Sequence, residues 1–307
     1  KETCRNAIKT RSPWGWVETF RCLAVHRLTN DADYAALGRD IMDYTLDAGD
    51  MGWFKLTAMA QYRYLTWKRD PASPWAPKDA EARYRANLHK VAAEPSKDLF
   101  AESGTHNRVW HRYALLSIAR MVAEEDKKPI DPRVIEYTDY HKRLIGDAGD
   151  ADDASAGYHW VFFDAAMAIY FHTGDWDAFL KHKGFRKTLS RYVEMVSPAG
   201  ACAPFASCSG WPEVGASMWA YEWMSKLTRD GRFRWTSHRI AEHYYNHLDN
   251  RANQYHLPYD TARNNFVMAY LLADDSVVPT PPPAASRITW RHPLEPVPSA
   301  RLRARPG

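Results

Sequence analysis

Apolar positions along the chain keep the spacing of a helix face, and they do so in a phrase that repeats. Trp16 to Thr29, Trp53 to Thr66 and Trp160 to Thr173 each place an aromatic thirteen residues before a threonine. The stretches WVETFRCLAVHRLTND, WFKLTAMAQYRYLTWKRD and WVFFDAAMAIYFHTGD are apolar-rich, carry Ala or Cys in mid-helix, and end in Thr followed by a turn with Asp. A fourth copy, GASMWAYEWMSKLTRDGRF, brings Thr228 and Asp230 to the equivalent end. The threonines stand 37, 107 and 55 residues apart, and the long interval has room for a further copy, for which NRVWHRYALLSIARMVAEED is the candidate. A repeat of about fifty residues built on a helix pair cannot bury its apolar face alone, so the pattern predicts stacked or ring-closed helical hairpins.

Breakers divide the chain into helices expected at roughly 14–28, 32–47, 51–68, 78–93, 106–124, 131–143, 158–173, 184–196, 213–228, 233–249 and 261–273. Asp131-Pro132 and Asp79 mark two of the starts. Two irregular stretches, GDAGDADDASAG at 146–157 and SPAGACAPFASCSGWP at 197–212, exceed ordinary helix connections, and loops of that length often carry function. After Asp275 the composition changes to VVPTPPPAAS and then RITWRHPL, which reads as a Pro-rich linker over 276–307 leading into a β domain absent from this chain. Its prolines exclude helix, and the segment is expected to pack little against the helical body of 1–275.

Composition sharpens this in three ways. The 307 residues are 45% apolar, enough for a large core, and include 13 Trp and 17 Tyr, which either fill a wide helical interior or offer faces on which sugar rings stack. The net charge of +4 sits in the tail, where Arg287, Arg291, Arg301, Arg303 and Arg305 face Glu295 alone. With a neutral body, nucleic acid is not an expected partner, and an acidic substrate has to be held by local groups in a cleft. No stretch approaches eighteen uninterrupted apolar residues, so no membrane insertion is expected. The start at Lys1 instead of Met reads as a processed or trimmed chain. Four cysteines make no disulfide scaffold at this length: Cys202 with Cys208 and Cys4 with Cys22 either bridge or remain buried thiols, and no Cys/His spacing suggests zinc or another metal.

Three motifs carry candidate chemistry: THN at 105–107 opening a helix, an acidic loop leading into AGYHW at 156–160, and MVSPAGACAPF at 195–205. In this order the chain, from about residue 14 to 275, resembles the α/α-toroid polysaccharide lyases, the heparinase II/III-like and alginate-lyase group. The resemblance implies an all-α fold, an incomplete α/α toroid of repeated helical hairpins, with the tail leading toward a β-sandwich. It also implies a secreted or periplasmic enzyme that cleaves an acidic, uronate-containing glycan by β-elimination, with no cofactor in this segment. That group presents Asn before His, whereas here the order is His106-Asn107, which leaves the division between neutraliser and base open. After the Pro-x-Gly turn this chain has Ala206-Ser207-Cys208 where relatives often carry an acidic residue.

The chemistry has its own logic. The C5 proton of a uronate is too weakly acidic to leave unless the adjoining carboxylate is neutralised as charge develops. His106 and Asn107 at a helix start suit that task, because helix-end N–H groups favour negative charge. Tyr158, with an ordinary pKa near ~10, serves as acid to the leaving O4, and either His106 or Tyr158 as base. Arg108, His111 and Arg112 stand near enough to share the carboxylate, and His159 is a further, lesser substrate contact. Side chains from His106, Asn107 and Tyr158 are then expected on one cleft. Two other readings remain: a toroid glycoside hydrolase drawing its carboxyls from Asp147, Asp150, Asp152, Asp153, Glu102 and Glu213, and a non-catalytic glycan-binding module.

Overall fold

A computed structural model describes residues 1–12, 15–49, 51–52, 54–100, 106–145, 156–182, 184–185, 193, 196, 218–246 and 259–282. At 54, 106–108, 144–145, 156–164, 244–246 and 259–265 the description is confined to the backbone. The described residues form an all-α fold without strands: α1 (Glu2–Thr10), α2 (Trp16–Thr29), α3 (Ala32–Ala48), α4 (Phe54–Leu65), α5 (Ala80–Ala93), α6 (His106–Glu125), α7 (Pro132–Ile145), α8 (Ala156–Thr173), α9 (Trp176–Lys181), α10 (Met218–Thr228), α11 (Gly231–Asn246) and α12 (Tyr259–Leu272). A 3-10 turn at Lys97–Phe100 precedes α6. Two compact units result, Lys1–Gly146 with Val161–Phe179, and Asp147–Trp160 with Leu180–Gly307.

In the first unit α2 packs on α3, α5 on α6 and α6 on α7, the antiparallel neighbours that short connections produce. Ile41, Met42, Leu56, Met59, Leu88, Leu116, Ile118 and Phe171 are fully buried there. Tyr62 crosses this core: its ring meets Phe20 edge to face at 6.2 Å, and its hydroxyl donates to the carbonyl of Trp75 at 3.0 Å. Trp75 in turn lies against Gly38 of α3, where an added Cβ would come within 2.5 Å of the indole, so only glycine admits the close approach. Helix α1, unmarked by the periodicity of the sequence, is a short amphipathic addition that buries only Cys4 and Ala7.

The recurrent threonines have a common structural role. Thr29, Thr173 and Thr228 end α2, α8 and α10; each donates its hydroxyl to a carbonyl of the preceding turn, at 2.8, 3.4 and 2.7 Å. The same oxygen accepts from the backbone N–H of the aspartate two residues on, Asp31, Asp175 or Asp230, at 3.3, 3.2 and 3.3 Å. The residue between them is left-handed in all three: Asn30 at φ 55°, Gly174 at φ 78° and Arg229 at φ 60°. Each aspartate then caps the next helix, accepting from the N–H of Asp33, Ala178 or Arg232 at 3.0, 2.9 and 3.0 Å. Thr-x-Asp is therefore a helix-to-helix joint, and its repetition is the local cause of the repeated pattern. Thr66 makes the first bond, to the Tyr62 carbonyl at 2.6 Å, but continues into the turn 66–70 without the second. Trp53 lies outside the described residues.

The second unit is built on α10, whose residues Met218 to Ser225 are all buried and which packs against both α11 and α12. The expected loose linker begins otherwise. Val277 is buried, its carbonyl accepts from Arg234 at 2.9 Å, and the N–H of Thr280 donates to Gly231 at 3.0 Å, so residues 276–280 pack on α11. The expected β segment beyond 282 lies outside the described residues. Asp79 also departs from expectation. It precedes α5, but in a left-handed conformation (φ 52°) without a side-chain capping bond, whereas Asp131 beside Pro132 caps α7 through the Arg133 N–H at 2.8 Å. An aspartate caps only where its backbone is extended enough to turn the carboxylate over the first N–H groups.

Candidate functional site

The sequence-predicted site residues fall in the first turns of two helices. His106, Asn107 and Arg108 are the first three residues of α6, and Tyr158 and His159 the third and fourth of α8. Their side chains lie outside the described residues, as do Glu102, Asp147, Asp150, Asp152, Asp153, Glu213 and nearly all of the 195–205 loop. Of the two remaining candidates, His111 is buried in α6 and Arg112 is half-buried.

One turn into α6 an aromatic cluster surrounds a histidine that sequence reasoning did not select. His141 of α7 stacks on Tyr137 at 4.0 Å and meets Tyr140 at 5.1 Å, and Trp110 and Tyr113 of α6 each lie 6.0 Å away. Its Nδ1–H donates to the Tyr137 carbonyl at 2.9 Å, which leaves the lone pair on Nε2. Burial lowers its pKa below the ordinary 6.5, with the Tyr137 carbonyl opposing, so the ring is neutral at pH 7. Burial likewise pushes Tyr137 up to about 12, against the nearby guanidinium of Arg112. The available signal was the spacing of Trp110 with Tyr113 and of Tyr137 with His141, which puts each pair on one helix face.

A second polar cluster braces the end of α8. Arg63 of α4 grips Glu81 of α5 with two bonds of 2.7 Å and donates to the carbonyl of His172 at 3.0 Å; Lys68 donates to the same carbonyl. Two cations at a helix C-terminus satisfy its open carbonyls and oppose its dipole. Burial, then the charges of Arg63 and Lys68, push the His172 imidazole down to about 3, so it stays neutral and accepts the Tyr84 hydroxyl at 3.1 Å. Burial lowers Lys68 to about 8. This cluster is a structural clasp.

In the second unit Glu222 of α10 is buried, with the Arg234 guanidinium at 3.8 Å and the His238 ring at 3.7 Å, and its Oε2 makes no hydrogen bond among the described residues. Burial raises its pKa to about 7, although Ser237 and Arg234 favour the charged form. Arg234 looks elsewhere for partners: it donates to the carbonyls of Asp274 and Val277 at 2.5 and 2.9 Å and to the carboxylate of Asp275. Glu222 is thus a buried acid that holds its proton near neutrality. Nothing local in MWAYEWM marks it, since the desolvation comes from α11 and α12.

Among the described residues there is no group of three His, Cys, Asp or Glu side chains placed to hold a metal, and no helix is long and apolar enough to cross a membrane. Comparisons of the chain with protein families, with curated proteins and with solved structures find no match.

Proposed function

We propose that the chain is a polysaccharide lyase that cleaves an acidic, uronate-containing glycan by β-elimination, secreted or periplasmic, and built as an incomplete α/α toroid of helical hairpins. One positional observation carries the reading: His106, Asn107 and Arg108 occupy the first turn of α6, and Tyr158 and His159 the first turn of α8. First turns hold backbone N–H groups without intrahelical partners and the positive end of the helix dipole. They suit a carboxylate that gains charge as its neighbouring proton departs. Asn107 and His106 neutralise that carboxylate with help from Arg108 and Arg112. His106 or Tyr158 removes the C5 proton, and Tyr158 protonates the departing O4.

Tyr158→Phe keeps the ring and removes the proton-carrying oxygen, so it is expected to abolish elimination and leave the helical circular dichroism unchanged. Near-normal turnover in that variant removes Tyr158 from the mechanism. A glycoside hydrolase, the other enzymatic reading, would release reducing ends without ultraviolet absorbance.

A further inference from the structure

We infer that Cys4 and Cys22 are a disulfide-forming pair that ties α1 to α2, closed by exchange with a low-molecular-weight disulfide. The two sulfurs, 18 positions apart in sequence and on different helices, lie 3.3 Å from each other. Both are buried, Cys22 completely. A disulfide bond is about 2.05 Å long, so closure needs an approach of little more than ~1 Å, within reach of a side-chain rotation and a small shift of a terminal helix. Helix α1 is the element that gains from it. Only Cys4 and Ala7 are buried along its length, and beyond them it is held near its start by the Lys1 ion pairs to Asp31 and Asp33, at 2.6 and 2.9 Å.

The pair is asymmetric in a way that orders the chemistry. The hydrogen bond from the Cys22 thiol stabilises a thiolate on Cys4 and lowers its pKa to about 7, with burial and Glu18 opposing and Arg21 helping. The same bond, together with burial, raises Cys22. Cys4 is therefore the attacking sulfur. Its thiolate displaces one thiolate from the external disulfide, forming a mixed disulfide. Cys22 then loses its proton and attacks the Cys4 sulfur, expelling the second external thiolate. The protein loses two electrons and two protons as one small disulfide becomes two thiols. Cys4 is nearly covered, so the external disulfide meets it as α1 lifts; Cys4 travels with α1 while Cys22 stays on α2, and access then selects Cys4 as the first nucleophile.

Peptide mapping tests this directly. The protein is equilibrated with oxidised glutathione, unfolded in the presence of the alkylating agent and cut with trypsin without reduction. The expected product is a cross-link between the peptides 2–5 and 22–27, lost on adding dithiothreitol and absent from Cys4→Ser. Oxidised wild-type protein should also unfold at a higher guanidinium midpoint than reduced protein, and Cys4→Ser should show no such redox-dependent shift. Recovery of both peptides fully alkylated from the oxidised sample, or of either cysteine joined to Cys202 or Cys208, would overturn the inference.

Discussion

Glu222 and His172 are buried groups whose protons respond to folding in opposite senses. Glu222 has its folded pKa raised from 4.5 to about 7, so the folded state binds the proton more tightly, and stability falls as pH rises through that window. Glu222→Gln removes the penalty. It is expected to raise stability by about 3 kcal/mol at pH 8 and by little at pH 4. Chemical denaturation at the two pH values checks this, and an equal effect at both would contradict it. His172 has its folded pKa lowered from 6.5 to about 3, so its contribution is present at neutral pH and is lost as pH falls through that range. His172→Gln keeps an acceptor for Tyr84 and should flatten the stability profile between pH 6 and 4; an unchanged acid slope would show that His172 is not neutral in the folded chain.

The helix-to-helix joints set the next scale. In the joint after α8, Asp175 caps α9 and Gly174 holds φ 78°, with Lys68 Nζ 3.1 Å from where a Cβ would stand. Asp175→Ala is expected to cost about 1 kcal/mol and Gly174→Ala a similar amount, read as lower thermal midpoints. These joints were legible in the sequence because Thr, a left-handed residue and a capping Asp are local chemistry. The helix ends at Thr29 and Thr173 were legible for the same reason. Helix α1 was not, since a polar stretch of nine residues that buries only Cys4 and Ala7 is too short to stand out. Nor was the Asp79 conformation, because the residue type fixes a capping side chain but not the backbone that aims it. The clasp of Arg63, Glu81 and His172 and the buried Glu222 depend on residues brought together from distant parts of the chain. The aromatic box around His141 had a local trace in the Tyr137 spacing, yet its desolvation comes from α6.

For the whole molecule, the all-helical reading holds among the described residues, and the packing of Val277 and Thr280 on α11 carries the fold past the expected boundary at residue 275. The functional proposal rests on which residues open α6 and α8. β-Elimination leaves a conjugated double bond that absorbs ultraviolet light, whereas hydrolysis leaves none and a binding module leaves the glycan intact. Asn107→Ala should slow elimination about a hundredfold or more, the scale of a lost oxyanion donor, without moving the unfolding midpoint. The most direct measurement is ultraviolet absorbance during incubation of the chain with a panel of uronate polysaccharides. The lyase account predicts absorbance that grows with time on at least one of them and falls about a hundredfold in rate in Asn107→Ala. Glycan shortened without any absorbance, or no cleavage across the panel, would contradict it.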